Sequence, residues 1–155
     1  MGEASTPKAT IVVPVYNSAS SIRWCLDSLL AQSERSIQVV CVNDGSADDS
    51  LRVLRQIAQT DGRVLVIDQA NAGVSCARNA GIDAAEGEVV FFVDADDCID
   101  AQTVERVLQA MGSSDAEVAV FGGVCEPADA APKRVQQLMS PNAGTFGTRD
   151  PQLLF

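Results

Sequence analysis

The sequence predicts an α/β fold: a mostly parallel, twisted sheet with helices on both faces. Two observations carry this. Short apolar runs alternate with stretches of helical periodicity from Ala9 to Phe121, the pattern of a sheet built from strand–helix–strand units. And one run, Val89–Val93, is apolar throughout and stops at three carboxylates, Asp94, Asp96 and Asp97. An unbroken apolar run suits a strand buried on both faces. Carboxylates at its C-terminal end fall where open α/β sheets bind ligands.

Each element has its own signal. Ala9–Val13 reads as a strand ended by Pro14, and Asn17-Ser18 offers turn and cap chemistry. Ile22, Cys25, Leu26, Leu29 and Leu30 then follow helical spacing. Ile37–Val42 is a second strand, stopping at Asn43-Asp44-Gly45-Ser46. Ser46 and Asp49 have capping-box spacing with Asp in place of Glu. Leu51, Leu54, Ile57 and Ala58 form the next helical stripe, and Val64–Ile67 the third strand. Val74, Ala77, Gly81 and Ala84 suggest a helix whose small residues let it approach the sheet closely. After Val89–Val93, the stripe Val104, Val107, Leu108 and Met111 marks a helix closed by Gly112. Val118–Phe121 is expected to be a fifth strand. Residues 9–123 thus form one domain behind a disordered stretch, residues 1–8. Residues 124–155 carry Pro127, Pro132, Pro141 and Pro151 with little periodicity. They read as an irregular segment that begins a missing half of a longer protein.

The chain has 155 residues, 46% of them hydrophobic and 21% charged, enough for one core. A formal charge of −10 makes nucleic acid or an anionic membrane a poor electrostatic partner. No stretch approaches the roughly 20 apolar residues that span a bilayer, so a cytoplasmic location is expected. Five cysteines without a CxxC pair read as reduced, mostly buried thiols. Histidine is absent, which removes Ser-His and Cys-His nucleophiles and histidine-ligated zinc. Carboxylates are left to carry any metal or acid–base role.

Three strand ends are polar: Pro14-Val-Tyr16-Asn17, Asn43-Asp44-Gly-Ser46 and Asp94-Ala-Asp96-Asp97. In a parallel sheet they share one edge. Taken singly, Tyr16 reads better as a half-buried ring, Asp44-Gly45 as a turn, Arg78 as a surface helix charge and Asp97 or Asp100 as a helix cap. Taken together they suit a nucleoside diphosphate: a ring to stack on a base, a carboxylate to accept from a base N–H, and acidic groups for a bridging cation. Neither a GxxxxGK[ST] loop nor a GxGxxG after a strand is present. The apolar run with DxD also suggests an aspartate-based phosphatase, but that pattern belongs on a first strand and here lies on the fourth.

The ordered set Ile11–Asn17, Cys25–Gln32, Val42–Ser46 with Asp49-Ser50, Asn71–Ser75, Ala77–Ile82 and Gly87–Asp97 resembles the N-terminal part of glycosyltransferase family 2, a family with the Rossmann-like GT-A fold. The resemblance implies a nucleotide-sugar donor, most often a UDP-sugar, with Mg²⁺ or Mn²⁺. By position it implies donor contacts from Pro14, Tyr16, Asp44, Arg78 and Asp94, and a metal held by Asp96 and Asp94. Many relatives carry Asp where this chain has Asn43. The implied chemistry is inverting transfer to a hydroxyl of a saccharide or lipid-linked acceptor, placing the full-length protein at the inner face of the membrane. Its catalytic base is expected beyond Phe155. A nucleotide-sugar-binding module without catalysis remains the alternative.

Overall fold

The structure is a computed structural model and describes residues 6–120. Residues 1–5 of the stretch 1–8 read above as a disordered start, and the tail 124–155 read as irregular, lie outside the described residues. The residues up to Leu108 form one compact unit, and a second begins at Gln109.

Four parallel strands alternate with helices: β1 (Ala9–Val15), α1 (Ile22–Leu30), β2 (Ile37–Asp44), α2 (Ser50–Ala58), β3 (Val64–Gln69), α3 (Val74–Asp83), β4 (Val89–Phe92) and α4 (Thr103–Gly112). The sheet order is β3-β2-β1-β4. Side chains alternate across the pleat. Ile11, Val13, Val15, Val39, Cys41, Val64 and Phe91 join the buried residues of α1, α2 and α4 in the larger core. Val40 and Val42 face the other way, against Ala77 of α3. The helices therefore cover both faces, as the alternation predicted.

The strand order sets the position of the site. From β1 the chain moves one way to β2 and β3, then crosses back over β1 to β4. The reversal leaves a crevice between the C-terminal ends of β1 and β4, where doubly wound sheets bind ligands. Pro14 lies in β1 between two neighbours, a position that normally excludes proline. Here the ladder explains it. Val12 accepts a bond from Val93 N (3.2 Å), but the pairing with β4 ends at Val12↔Phe92. Pro14 points the same way two residues on, past the end of the ladder, so no bond is lost.

Three expectations need correction. First, β4 is not buried on both faces: Phe91 is buried, Val89 and Val90 are half-buried and Phe92 is 46% exposed. It is the edge strand of the described sheet, and α3 packs chiefly on β1 and β2. Second, Ser46 and Asp49 form no capping box. Asp49 is the N-cap of α2 but makes no side-chain cap bond, and Ser46 Oγ instead accepts from Asn17 N (3.0 Å). Third, Val118–Val120 carries no strand, since no described strand pairs with it. Phe121 lies outside the described residues.

Candidate functional site

Five side chains singled out from the sequence, Pro14, Tyr16, Arg78, Asp94 and Asp96, line one cleft of about 570 Å³ at the reversal point. Its floor is the end of β1 and the turn after β4; Val74 and Arg78 of α3 form one wall, and Ser18, Ser20 and Ser21 before α1 the other. Tyr16 is 55% exposed, so its ring is free to stack on a planar ligand.

The acidic turn is pinned from below. Val93 and Ala95 are buried in the core, Asp97 N closes the turn on Asp94 O (3.0 Å), and Asp94 O also accepts from Cys25 Sγ (3.6 Å). With Ala95 inward, Asp94 and Asp96 flank it on the cleft side. Burial first, then the neighbouring Asp96 and Asp94, holds the Asp97 carboxyl above its ordinary range. Asp97 does not line the cleft. Neither does it cap α4: Asp100 Oδ1 accepts from Gln102 N (3.0 Å), one residue before the helix, and the first-turn amide of Val104 donates to Gln32 Oε1 (3.1 Å).

The Asp94 carboxylate is paired with Arg78 (Nη2 to Oδ1, 2.8 Å). Among the described residues no three acidic, cysteine or histidine side chains converge at metal-binding spacing. What the cleft offers is two carboxylates and no nitrogen or sulfur donor. Such a donor set fits a hard ion like Mg²⁺ or Mn²⁺, which commonly takes one or two carboxylates and completes its shell from phosphates and water.

Asp44 lies elsewhere. It is buried, 3% exposed, and is not among the cleft-lining residues. Gln69 Nε2 (2.8 Å) and Ala72 N (2.8 Å) donate to Oδ1, and Gly73 N (2.9 Å) to Oδ2. Asp44 therefore fastens the loop that leads into α3 and its Arg78. Four lone-pair sites less three bonds leave one for a ligand. Gly45 makes the approach possible: its φ is +68°, and a Cβ there would meet Asn71 N at 2.6 Å. Beside it, Asn43 Nδ2 donates to Asp68 Oδ1 (2.8 Å); an aspartate at 43 would set two carboxylates against each other.

The Gln69 amide first, then the Ala72 and Gly73 amides, holds the Asp44 carboxyl below its ordinary range. A lowered folded pKa contributes stability that is complete above the unfolded value, about 4, and is lost as pH falls through the folded one. Melting temperature followed by acid titration should thus fall below about pH 4 in the wild type and fall less steeply in Asp44→Asn. Parallel curves would show that Asp44 has no such role.

A seam of hydrogen bonds runs along the serine side of the cleft. Asn17, at φ +50°, accepts from Ala47 N through Oδ1 (2.8 Å), Ser18 N donates to Ser50 Oγ (2.8 Å) and Ala19 N to Asp48 Oδ2 (2.9 Å). The loops after β1 and β2 are fastened to each other. The clustered Asn, Ser and Asp were the available signal, but their partners lie about thirty residues away.

Of the cysteines expected to be mostly buried, Cys25 and Cys41 are buried while Cys76 and Cys98 are exposed, and Cys125 lies outside the described residues. Desolvation, with nearby carboxylates adding to it, pushes the Cys25 thiol up to about 12, and burial also raises Cys41, leaving both unreactive.

Comparison with known proteins bears on the family and the fold. The family described as "Glycosyl transferase family 2" matches residues 10–154. The chain is 42% identical over 113 residues to "Glycosyltransferase GlyA" of Streptococcus pneumoniae serotype 4, covering 73% of this chain and 16% of that one. It is 43% identical over 107 residues to "Putative glycosyltransferase EpsH" of Bacillus subtilis, covering 69% and 31%. Among solved structures, S. aureus TarS 1-349 in complex with UDP-GlcNAc superposes with TM-score 0.69 at 30% identity, over 74% of this chain and 34% of that one. The mannosyltransferase PcManGT from Pyrobaculum calidifontis, in complex with GDP-Man and Mn²⁺, gives 0.65 at 27%, over 82% and 38%. The parallel sheet with its crevice at the reversal point is that of the GT-A transferases. Within that class, the chain belongs to glycosyltransferase family 2. It spans about a third or less of the length of these two curated relatives. Among the described residues no helix is long and apolar enough to cross a membrane.

Proposed function

We propose that this chain is the donor-binding part of a metal-dependent glycosyltransferase that moves a sugar from a nucleoside-diphosphate donor, a UDP-sugar, to an acceptor hydroxyl with inversion. The observation that carries this reading is the joint presence of Tyr16, Arg78, Asp94 and Asp96 in one cleft. The donors named in the TarS and PcManGT structures support the donor class. Tyr16 stacks on the base, and Asp44, from behind the cleft, fastens the 69–73 loop that leads into α3 and Arg78. Arg78 meets the diphosphate as a guanidinium fork. Asp96 and Asp94 would hold Mg²⁺ or Mn²⁺, which when bound neutralises charge on the leaving diphosphate. In the transfer, the acceptor oxygen bonds to the anomeric carbon as the bond to the diphosphate breaks. A carboxylate outside this chain takes the hydroxyl proton.

The test is thermal denaturation with UDP, GDP or ADP, each with and without Mn²⁺. UDP with Mn²⁺ should raise the melting temperature most, by linkage. Equal shifts from all three nucleotides would remove the uridine assignment, and no shift at millimolar ligand would remove the donor reading.

A further inference from the structure

Arg78 is the one cation among the residues that line the cleft, and it is already engaged. Its Nη2 sits 2.8 Å from Asp94 Oδ1, with the two side chains 38% and 53% exposed, so the pair is open to an arriving ligand. Its Nε is buried and has no partner, so the guanidinium keeps a donor in reserve. Its anchor is firm, because the preceding residue, Ala77, is fully buried between α3 and the sheet. The head can therefore turn on its flexible stem while the backbone stays fixed.

We propose that Arg78 is an internal counter-ion lock: it keeps Asp94 closed to divalent cations until a nucleoside diphosphate draws the guanidinium away. This rests on the donor reading above. A diphosphate entering the cleft finds a single cation there, and guanidinium pairs with phosphate oxygens as a two-pronged fork at least as well as with one carboxylate oxygen. Turning Arg78 to the phosphate strips Asp94 of its counter-ion. Asp94 and Asp96 then flank Ala95 as two unneutralised carboxylates beside an anionic ligand. A divalent ion is attracted to that arrangement and not to the locked one. The consequence is an order of binding in which nucleotide precedes or accompanies the cation. By reciprocity, each tightens the other.

The experiment titrates Mn²⁺ alone against the 155-residue chain, reading bound ion from the loss of the free Mn²⁺ paramagnetic resonance signal, and repeats it with saturating UDP. Wild type should bind Mn²⁺ weakly alone and much more tightly with UDP. Arg78→Met, with its fold checked by circular dichroism, should bind Mn²⁺ alone about tenfold more tightly, with a smaller gain from UDP. Adding Asp94→Asn to that variant should abolish the tenfold gain. Mn²⁺ binding to Arg78→Met no tighter than to wild type, or a gain that survives Asp94→Asn, overturns the lock. Failure of the donor reading has a different signature: UDP then leaves Mn²⁺ binding unchanged in every variant and does not alter the wild-type melting temperature.

Discussion

Replacing Asp96 with alanine should abolish the extra stabilisation that Mn²⁺ adds to UDP. In the wild type, a ligand present at a hundred times its dissociation constant stabilises by about 2.7 kcal/mol. Asp96 lines the cleft and forms none of the ion pairs among the described residues, so its removal takes away a proposed ligand for the cation without breaking the Arg78–Asp94 link. The unliganded melting temperature should therefore stay within a degree or two, as for most surface changes, while the Mn²⁺-dependent increment disappears. On the proposed function, the same change should cost sugar transfer several kcal/mol of charge stabilisation, which is a rate loss of at least about a thousandfold. An undiminished increment in Asp96→Ala would assign the metal to other groups.

Gly81→Ala should produce the largest loss of stability of the substitutions considered. A Cβ at position 81 would lie far inside van der Waals contact with Val12 Cγ1. Val12 is fully buried in the central strand and cannot step aside. Overpacking of this kind costs about 1–3 kcal/mol, which outweighs the roughly 1 kcal/mol by which alanine is the better helix former. The melting temperature should drop by on the order of 10 °C. Val12→Ala in the same chain should restore part of the loss, because the two sites share one contact. Independent, additive losses would place the cause elsewhere.

Gly81 also illustrates what the sequence disclosed. The small residues at 77, 81 and 84 were readable as a helix lying close to the sheet, and the apolar runs were readable as strands, because burial leaves a periodic trace. The strand ends that share an edge were readable for the same reason. The exposure of Phe92 was not, since an apolar residue looks alike on a central strand and on an edge strand. The partners of Asp44 were also hidden. Two of them are main-chain amides, at Ala72 and Gly73, and an amide has no residue identity for a pattern to reveal. Ser46 and Asp49 had correct cap spacing, but the spacing is local and could not show that Asn17, twenty-nine residues earlier, takes the Ser46 hydroxyl.

The bonds joining the loops after β1 and β2 bear on the thermodynamics of recognition. Asn17, Ser18 and Ala19 supply three amides, each held by a side chain from the stretch Ser46 to Ser50 that leads into α2. Their conformational freedom is surrendered during folding, when the core offsets it, and not again when a ligand arrives. A wall that is already ordered takes no share of the entropy lost on binding. On the opposite wall the lock proposed above asks only the Arg78 head to turn, so the two sides of one crevice would divide the work: one for selection, one for response.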